Sequence, residues 1–210
     1  MLASTVRIEW HEWTINNKTR FGPVDGGIGY ATIKEGRYLV THNHPGIPLS
    51  QPSAGTFITI SVFDAQGDPV WMAAPMSTVT IVAQEAETLV LDFGAFGGAG
   101  LFATLGLPSA EFATWESLPL QAGMEVAQID WDGAQAHVEW TAIDAMATSG
   151  GTPRLELANS VEIGASGGGV FWNGYHIANT WFRGTEYGES GAVMREYDVA
   201  ALNSAQIAGE

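Results

Sequence analysis

Ser166 stands in the run Gly164-Ala165-Ser166-Gly167-Gly168-Gly169-Val170-Phe171, where glycine recurs on both sides of a single hydroxyl. A hydroxyl that is to attack a carbonyl needs an exposed, sharply turned backbone and a base within hydrogen-bond reach. Glycines relax the steric limits on such a turn, and successive N–H groups that converge on one point form a concavity for an anion. The amides of Gly164 and Ser166 are therefore candidates for holding the oxyanion formed when the hydroxyl adds to a carbonyl. Without context the same run is also a glycine-rich turn between strands, because Val170 and Phe171 resume an apolar strand.

The base and the acid must come from elsewhere in the chain. His42 and His44 follow the apolar run Tyr38-Leu39-Val40-Thr41. Their spacing puts both on one face of an extended segment, but two ligands do not make a metal site, and His11, His137 and His176 sit in unrelated contexts. No metal and no cofactor is expected. Among the acids, Glu85-Ala86-Glu87-Thr88-Leu89-Val90-Leu91-Asp92-Phe93 is the informative stretch. If it is extended, Glu87 shares a face with Leu89 and Leu91, whereas Asp92 points the other way about 17 Å along the strand, so only one of the two serves a given histidine. The serine run also fits G-x-S-x-G, the nucleophile elbow of α/β-hydrolases. Those enzymes place an acid and then a histidine after the serine. Here no acid stands between Ser166 and His176, and the required order fails.

The elements that would position these groups read as short strands. The chain has 210 residues and 26 glycines, with many β-branched runs bounded by turn residues, which is an all-β pattern of one large or two small domains. Strands are expected at 26–33, 38–41, 56–63, 70–72, 78–82 and 87–93, and again at 118–123, 124–131, 137–143, 154–157 and 170–180. Residues 1–25 read as an opening strand or arm, Phe182–Gly191 as a polar loop, and Val193–Ile207 as either a last strand or a helix. The glycine-rich Gly94–Gly100 divides the chain into halves 1–97 and 98–210. A formal charge of −15 makes nucleic acid and anionic membrane surfaces poor partners and attracts cationic peptides. There are no cysteines, hence no disulfides or thiolate sites. The N-terminus lacks the basic start and apolar stretch of a signal peptide. As written the chain would be cytoplasmic, and it would be secreted if a leader had been removed, so the compartment stays open.

Three separated segments together resemble the triad segments of trypsin-like (chymotrypsin-fold) serine endopeptidases, above all disulfide-poor bacterial members such as the heat-shock Deg proteases. Tyr38-Leu39-Val40-Thr41-His42-Asn43-His44 is similar to the family's apolar strand ending in threonine, two residues and the catalytic histidine, which selects His44. The preceding Gly27-x-Gly29 hairpin also fits. Ala86-Glu87-Thr88-Leu89-Val90-Leu91 resembles the segment in which the acid heads an apolar strand, with Glu87 where aspartate is ordinary; Asp92 is the alternative acid, and Glu85 stands further off. The serine run, then Asn173-Gly174 and Ile177-Ala178-Asn179-Thr180, resembles the nucleophile loop, the next hairpin and the pocket-edge strand.

The resemblance spans about residues 26–181. It implies two six-stranded antiparallel Greek-key barrels with the active site in the cleft between them, the first carrying histidine and acid, the second the serine. It implies an endopeptidase with a His44-Glu87-Ser166 triad, an oxyanion hole at Gly164 and Ser166, and a substrate pocket edged by Ser160, Ile163, Asn179 and Thr180. A peptide or protein would be the substrate. Ser160 at the base of the pocket would leave lysine or arginine without a counter-charge. Ala165 stands where trypsin has an aspartate that pairs with the amine freed by propeptide cleavage, so a zymogen switch of that kind is not expected. Gly169 stands where proline is usual. A catalytically lapsed binding module on the same fold and an esterase using the same triad are the competing readings.

Overall fold

The computed structural model describes residues 1–15, 21–43, 56–85, 87–149 and 151–209. Short apolar and β-branched runs in the first half lay down seven strands among the described residues: β1 (Thr5–Ile15), β2 (Phe21–Lys34), β3 (Tyr38–His42), β4 (Thr56–Asp64), β5 (Pro69–Pro75), β6 (Thr80–Glu85) and β7 (Thr88–Asp92). They form one sheet in the order β5-β4-β1-β2-β3-β7-β6. The succession β4-β1-β2-β3 is a Greek key. The second half adds β8 (Glu111–Phe112), β9 (Glu125–Trp131), β10 (Ala136–Ser149), β11 (Thr152–Leu157), β12 (Gly169–Trp172), β13 (Tyr175–Tyr187) and β14 (Val193–Leu202). Their order is β12-β9-β10-β11-β14-β13-β8, and β12 also pairs with β13. That pairing closes six strands into a barrel, with β12-β9-β10-β11 again a Greek key and β8 joined to β13 in parallel outside it. The expected six-stranded barrel is thus present in the second half, while the seven strands of the first half curl as a half-barrel.

Local chemistry accounts for the two strands that matter most to the site. β2 and β3 are joined through Glu35 and Gly36, both at positive φ (52° and 65°), the paired left-handed conformation of a tight hairpin turn. β3 then pairs with β7 from Tyr38↔Asp92 to His42↔Thr88. All five residues of β7 are buried, so this pair runs through the interior and brings its His42 end against the serine coil of the second half.

Three readings from sequence are corrected. Leu118–Gly123 is not a strand: Pro119 lacks a ladder donor, Gly123 turns at φ 85°, and Leu118 and Leu120 pack instead against the second core. Phe182–Tyr187 continues β13 rather than forming a loop, because it pairs with Val193–Val199, with one register shift at Glu186/Tyr187. The tail is both strand and helix, with β14 followed by a helical turn at Ala205–Ala208.

Each half has its own core. Ile8, Ile33, Leu39, Val62, Leu89, Leu91 and Phe93 fill the first, joined by Leu101 and Phe102 from the short helical turns after β7. Val126, Leu155, Leu157, Val170, Ile177 and Ala200 fill the second. A third cluster joins the two: Tyr30 and Ala65 from the first half pack on Ala127, Ile129 and Phe171 from the second. Tyr30 is buried there, and desolvation pushes its hydroxyl pKa up to about 12. Among the described residues no helix is long and apolar enough to cross a membrane.

Candidate active site

The segment between β11 and β12 carries Ser166 on a coil of consecutive turns. Ala165 N–H donates to the Glu162 carbonyl at 3.1 Å and Gly168 N–H to the Ala165 carbonyl at 2.9 Å. Gly167 N–H donates to the Thr180 carbonyl at 2.8 Å, and Thr180 N–H to the Gly168 carbonyl at 2.9 Å, which fastens the coil to β13. Gly164 and Gly167 have φ of +109° and +82°, reached readily only by glycine. Space is equally restrictive: a Cβ on Gly164 would strike the Trp131 ring, and one on Gly169 would come within 3.0 Å of Phe171, Thr32 and His176 side chains. The second observation explains why glycine stands at 169. Ser166 is half-buried, and no described residue bonds the Gly164 or Ser166 amide.

The serine coil is also held against the first half. The Ser166 carbonyl accepts a 2.8 Å bond from Tyr30 N–H on β2. Gly29 allows this approach, since its absent Cβ would sit 3.1 Å from that carbonyl oxygen. Gly27 faces the Trp10 ring in the same way. Gly167 nests against Thr41, whose hydroxyl donates to the Tyr30 carbonyl at 2.6 Å, and against the His42 amide. Ser166 therefore lies beside the C-terminal end of β3, from which the chain runs through His42 and Asn43 to His44. His44 itself lies outside the described residues. His42 is buried at the end of β3.

Glu87 reaches the same place from β7. Its carbonyl accepts a 2.7 Å bond from Asn43 N–H, one residue before His44. Its buried carboxylate is ion-paired through Oε1 with Arg154 of β11, while Oε2 is buried with no partner among the described residues. The Arg154 guanidinium also stacks 4.5 Å over the Trp181 ring. Asp92 lies at the other end of β7, opposite Tyr38. Its Oδ1 accepts from Arg37 Nε at 2.6 Å and from Gly94 N–H at 2.7 Å. The Arg37 guanidinium holds the Asp92 pKa below the usual carboxylate range.

A pocket of about 210 Å³ opens next to Ser166, lined by Val161, Glu162, Ile163, Thr180, Trp181, Phe182, Arg183 and Asp198. Two of the four expected pocket residues, Ile163 and Thr180, line it. Ser160 turns its hydroxyl toward Glu196 at 3.5 Å, and Asn179 is fully buried, its Oδ1 3.2 Å from His176 Nε2. Neither lines the pocket. Sequence reasoning missed Arg154, Trp181 and Asp198. The last has a faint signal, a lone acid at the head of the apolar run Val199-Ala200-Ala201.

A closed Greek-key barrel beside a half-barrel, with a glycine-coiled serine at their junction, is the double-barrel fold of trypsin-like serine proteases. Solved structures of that fold superpose over most of the chain. The HtrA-type protease AlgW with a tripeptide matches at TM-score 0.60 and 16% identity over 96% of this chain and 57% of that one. Deg5 matches at TM-score 0.59 and 17% identity over 87% and 80%. The active form of the Rv3671c protease from M. tuberculosis matches at TM-score 0.60 and 15% identity over 99% and 79%. The chain thus spans little more than half the length of the AlgW protein it matches. No family model matches the sequence, and no curated protein matches it either.

Proposed function

We propose that the chain is a serine endopeptidase that hydrolyses peptide bonds through an acyl-enzyme on Ser166, with His44 as general base and Glu87 as the acid that orients it. The halves 1–97 and 98–210 would then contribute base and acid on one side and nucleophile and pocket on the other. One observation carries the reading: a serine on a glycine-rich coil is hydrogen-bonded to β2, whose partner strand β3 leads on to His44. In the reaction Ser166 Oγ attacks the scissile carbonyl while His44 takes its proton and later returns it to the leaving amine. The Gly164 and Ser166 amides would stabilise the oxyanion, a contribution of about 3–4 kcal/mol per donor in enzymes of this type. Glu87 is favoured over Asp92 because its carbonyl already tethers Asn43 and Asp92 is committed to Arg37 at the far end of the strand. A peptide substrate is supported by AlgW, seen with a tripeptide on the same fold. The sequence-based argument against lysine and arginine rested on Ser160, which does not line the pocket.

The ion pair between Glu87 and Arg154 favours a second reading, a lapsed protease fold that only binds, since an acid neutralised by arginine is a poorer partner for an imidazolium. Fluorophosphonate labelling followed by peptide mapping separates the two. The endopeptidase reading requires modification of Ser166 alone, abolished in Ser166→Ala. Absence of label in folded protein, or label on another serine, would refute it. An esterase would also label, and is told apart by turnover of acyl esters with none of peptides.

A further inference from the structure

Glu87 and Arg154 meet across the junction of the two sheets, and the arrangement leaves one carboxylate oxygen unspent. The Glu87 side chain is 11% exposed and that of Arg154 16%, so the pair lies largely out of water. Desolvation then offsets much of the attraction, and what the pair does depends on its geometry. That geometry is fixed from the arginine side. Leu155 and Leu157 of β11 turn into the second core, which puts Arg154 and Glu156 on the opposite face of the strand. There the Arg154 guanidinium lies 4.5 Å over the Trp181 ring, and its Nη2 reaches Glu87 Oε1. A planar guanidinium stacked on an indole donates in one plane, a restriction that a lysine ammonium does not have.

Oε2 of the same carboxylate is buried with no partner among the described residues. A buried carboxylate oxygen left unbonded is costly. The Glu87 carbonyl meanwhile holds Asn43 N–H at 2.7 Å, and the residue after Asn43 is His44. The other charged groups around this junction are Glu156, which shares with Arg154 a cavity of about 270 Å³ walled by Trp181 and Phe182, and His42, buried at the end of β3. Further along β13 and β14, Arg183 is paired with Glu196, and Asp198 accepts from Gln128 and from Val161 N–H.

We propose that Arg154 is a positioning residue for the acid: braced on Trp181, it fixes Oε1 of Glu87 and so turns Oε2 to the imidazole of His44; this rests on Ser166, His44 and Glu87 being the triad. The ion pair is then part of the machinery rather than a sign of its loss. The arginine charge has a second effect, because a cation beside the acid opposes the imidazolium and makes His44 a free base at lower pH. Two cations on either side of one carboxylate are about 7 Å apart, and at the screening usual in such a site this displaces the titration by about 1–2 pH units.

The test is the rate of fluorophosphonate labelling of Ser166 in the whole chain between about pH 5 and pH 9, which needs no peptide substrate. Arg154→Met, similar in length and uncharged, should move the acidic limb of the profile up by about 1–2 pH units. It should also lower the plateau about 10–100-fold, less than the 10³–10⁴-fold of losing the acid itself. Arg154→Lys should leave the limb in place and lower the plateau about 3–10-fold, since the charge stays and the stacked plane goes. If Arg154→Met does not fold, the lysine variant decides, and a plateau equal to that of the unsubstituted chain overturns the role. In a Glu87→Gln background Arg154→Met should cost nothing more, because it acts only through the carboxylate. An unmoved limb with a full plateau in folded Arg154→Met, faster labelling in that variant, or a further loss on top of Glu87→Gln overturns the proposal. Labelling that needs Ser166 and is indifferent to Arg154 removes this role and leaves the hydrolase. Absence of labelling in the unsubstituted chain brings down the hydrolase and this role together.

Discussion

Gly167→Ala tests the junction on which the site depends. The residue has φ +82°, which costs a non-glycine residue about 1–2 kcal/mol. Its Cβ would also lie less than 3.0 Å from the Thr41 hydroxyl and the Tyr30 carbonyl, and 3.3 Å from the His42 amide. None of these yields easily. The Tyr30 carbonyl belongs to the paired strand β2, and the Thr41 hydroxyl is committed to it at 2.6 Å. Either the serine coil moves off β2, losing the Tyr30-to-Ser166 bond, or the end of β3 shifts. Overpacking of this kind costs about 1–3 kcal/mol, so the total is about 2–5 kcal/mol. For a chain of this length that is a fall in Tm of about 5–20 °C. Gly106→Ala is the control, since it shares the positive φ (+81°) but meets nothing within 4 Å. The assay is thermal unfolding by circular dichroism alongside the rate of fluorophosphonate labelling. If Gly167→Ala and Gly106→Ala lose equal stability and the former labels at the normal rate, Gly167 does not seat Ser166 against β3 and the site has been built wrongly.

The remaining expectations follow from the same contacts. His44→Asn should lower kcat/KM by about three orders of magnitude or more, whereas His42→Asn, a change at a buried strand end, should act mainly on Tm; a larger kinetic loss from His42→Asn reverses the assignment. Glu87→Gln should lower kcat about 10³–10⁴-fold, and Asp92→Asn should instead show in thermal stability; near-normal turnover by Glu87→Gln with collapse in folded Asp92→Asn would transfer the role. The pH dependence of stability has two opposed sources. His176 is fully buried and its pKa is driven down from 6.5 to about 3, so its contribution is complete above pH 6.5 and is lost as pH falls toward 3. Asp198 is raised from 3.8 to about 6, so its contribution is complete below 3.8 and is lost as pH rises through 6. Each gives a slope of up to about 1.4 kcal/mol per pH unit, of opposite sign, between pH 4 and 6. Stability in Asp198→Asn should therefore climb with pH more steeply over that window than in the unsubstituted chain, as followed by urea unfolding; an unchanged slope would show that Asp198 titrates normally.

Sequence was a good guide wherever local composition decides the backbone. The glycines around Ser166, the Glu35-Gly36 turn and the apolar β3 and β7 each impose their conformation within a few residues. It was a poor guide where pairing across the chain decides. Phe182–Tyr187 is polar and glycine-bearing, and becomes strand only because Val193–Val199 lies opposite. Asp198 is buried only because β14 takes its place between β11 and β13. Arg154 has no local signal at all, since its meaning comes from Glu87, distant in the chain.

In the proposed enzyme the reacting groups come from both sheets, and this decides where the site would be vulnerable. The serine coil belongs to the second half, yet the Ser166 carbonyl hangs on Tyr30 of the first, and Glu87 of the first is paired to Arg154 of the second. Tyr30 in turn is packed in the cluster that joins the halves, with Ile129 and Phe171. Truncating Phe171 or Ile129 thus removes support from under the strand that carries the Tyr30 amide, although neither side chain lines the pocket. The cores of the separate halves can remain intact while the serine shifts relative to the end of β3. Since proximity contributes several kcal/mol only when reacting groups are held near attack distance, the joining cluster, and not either barrel alone, sets the precision of the site.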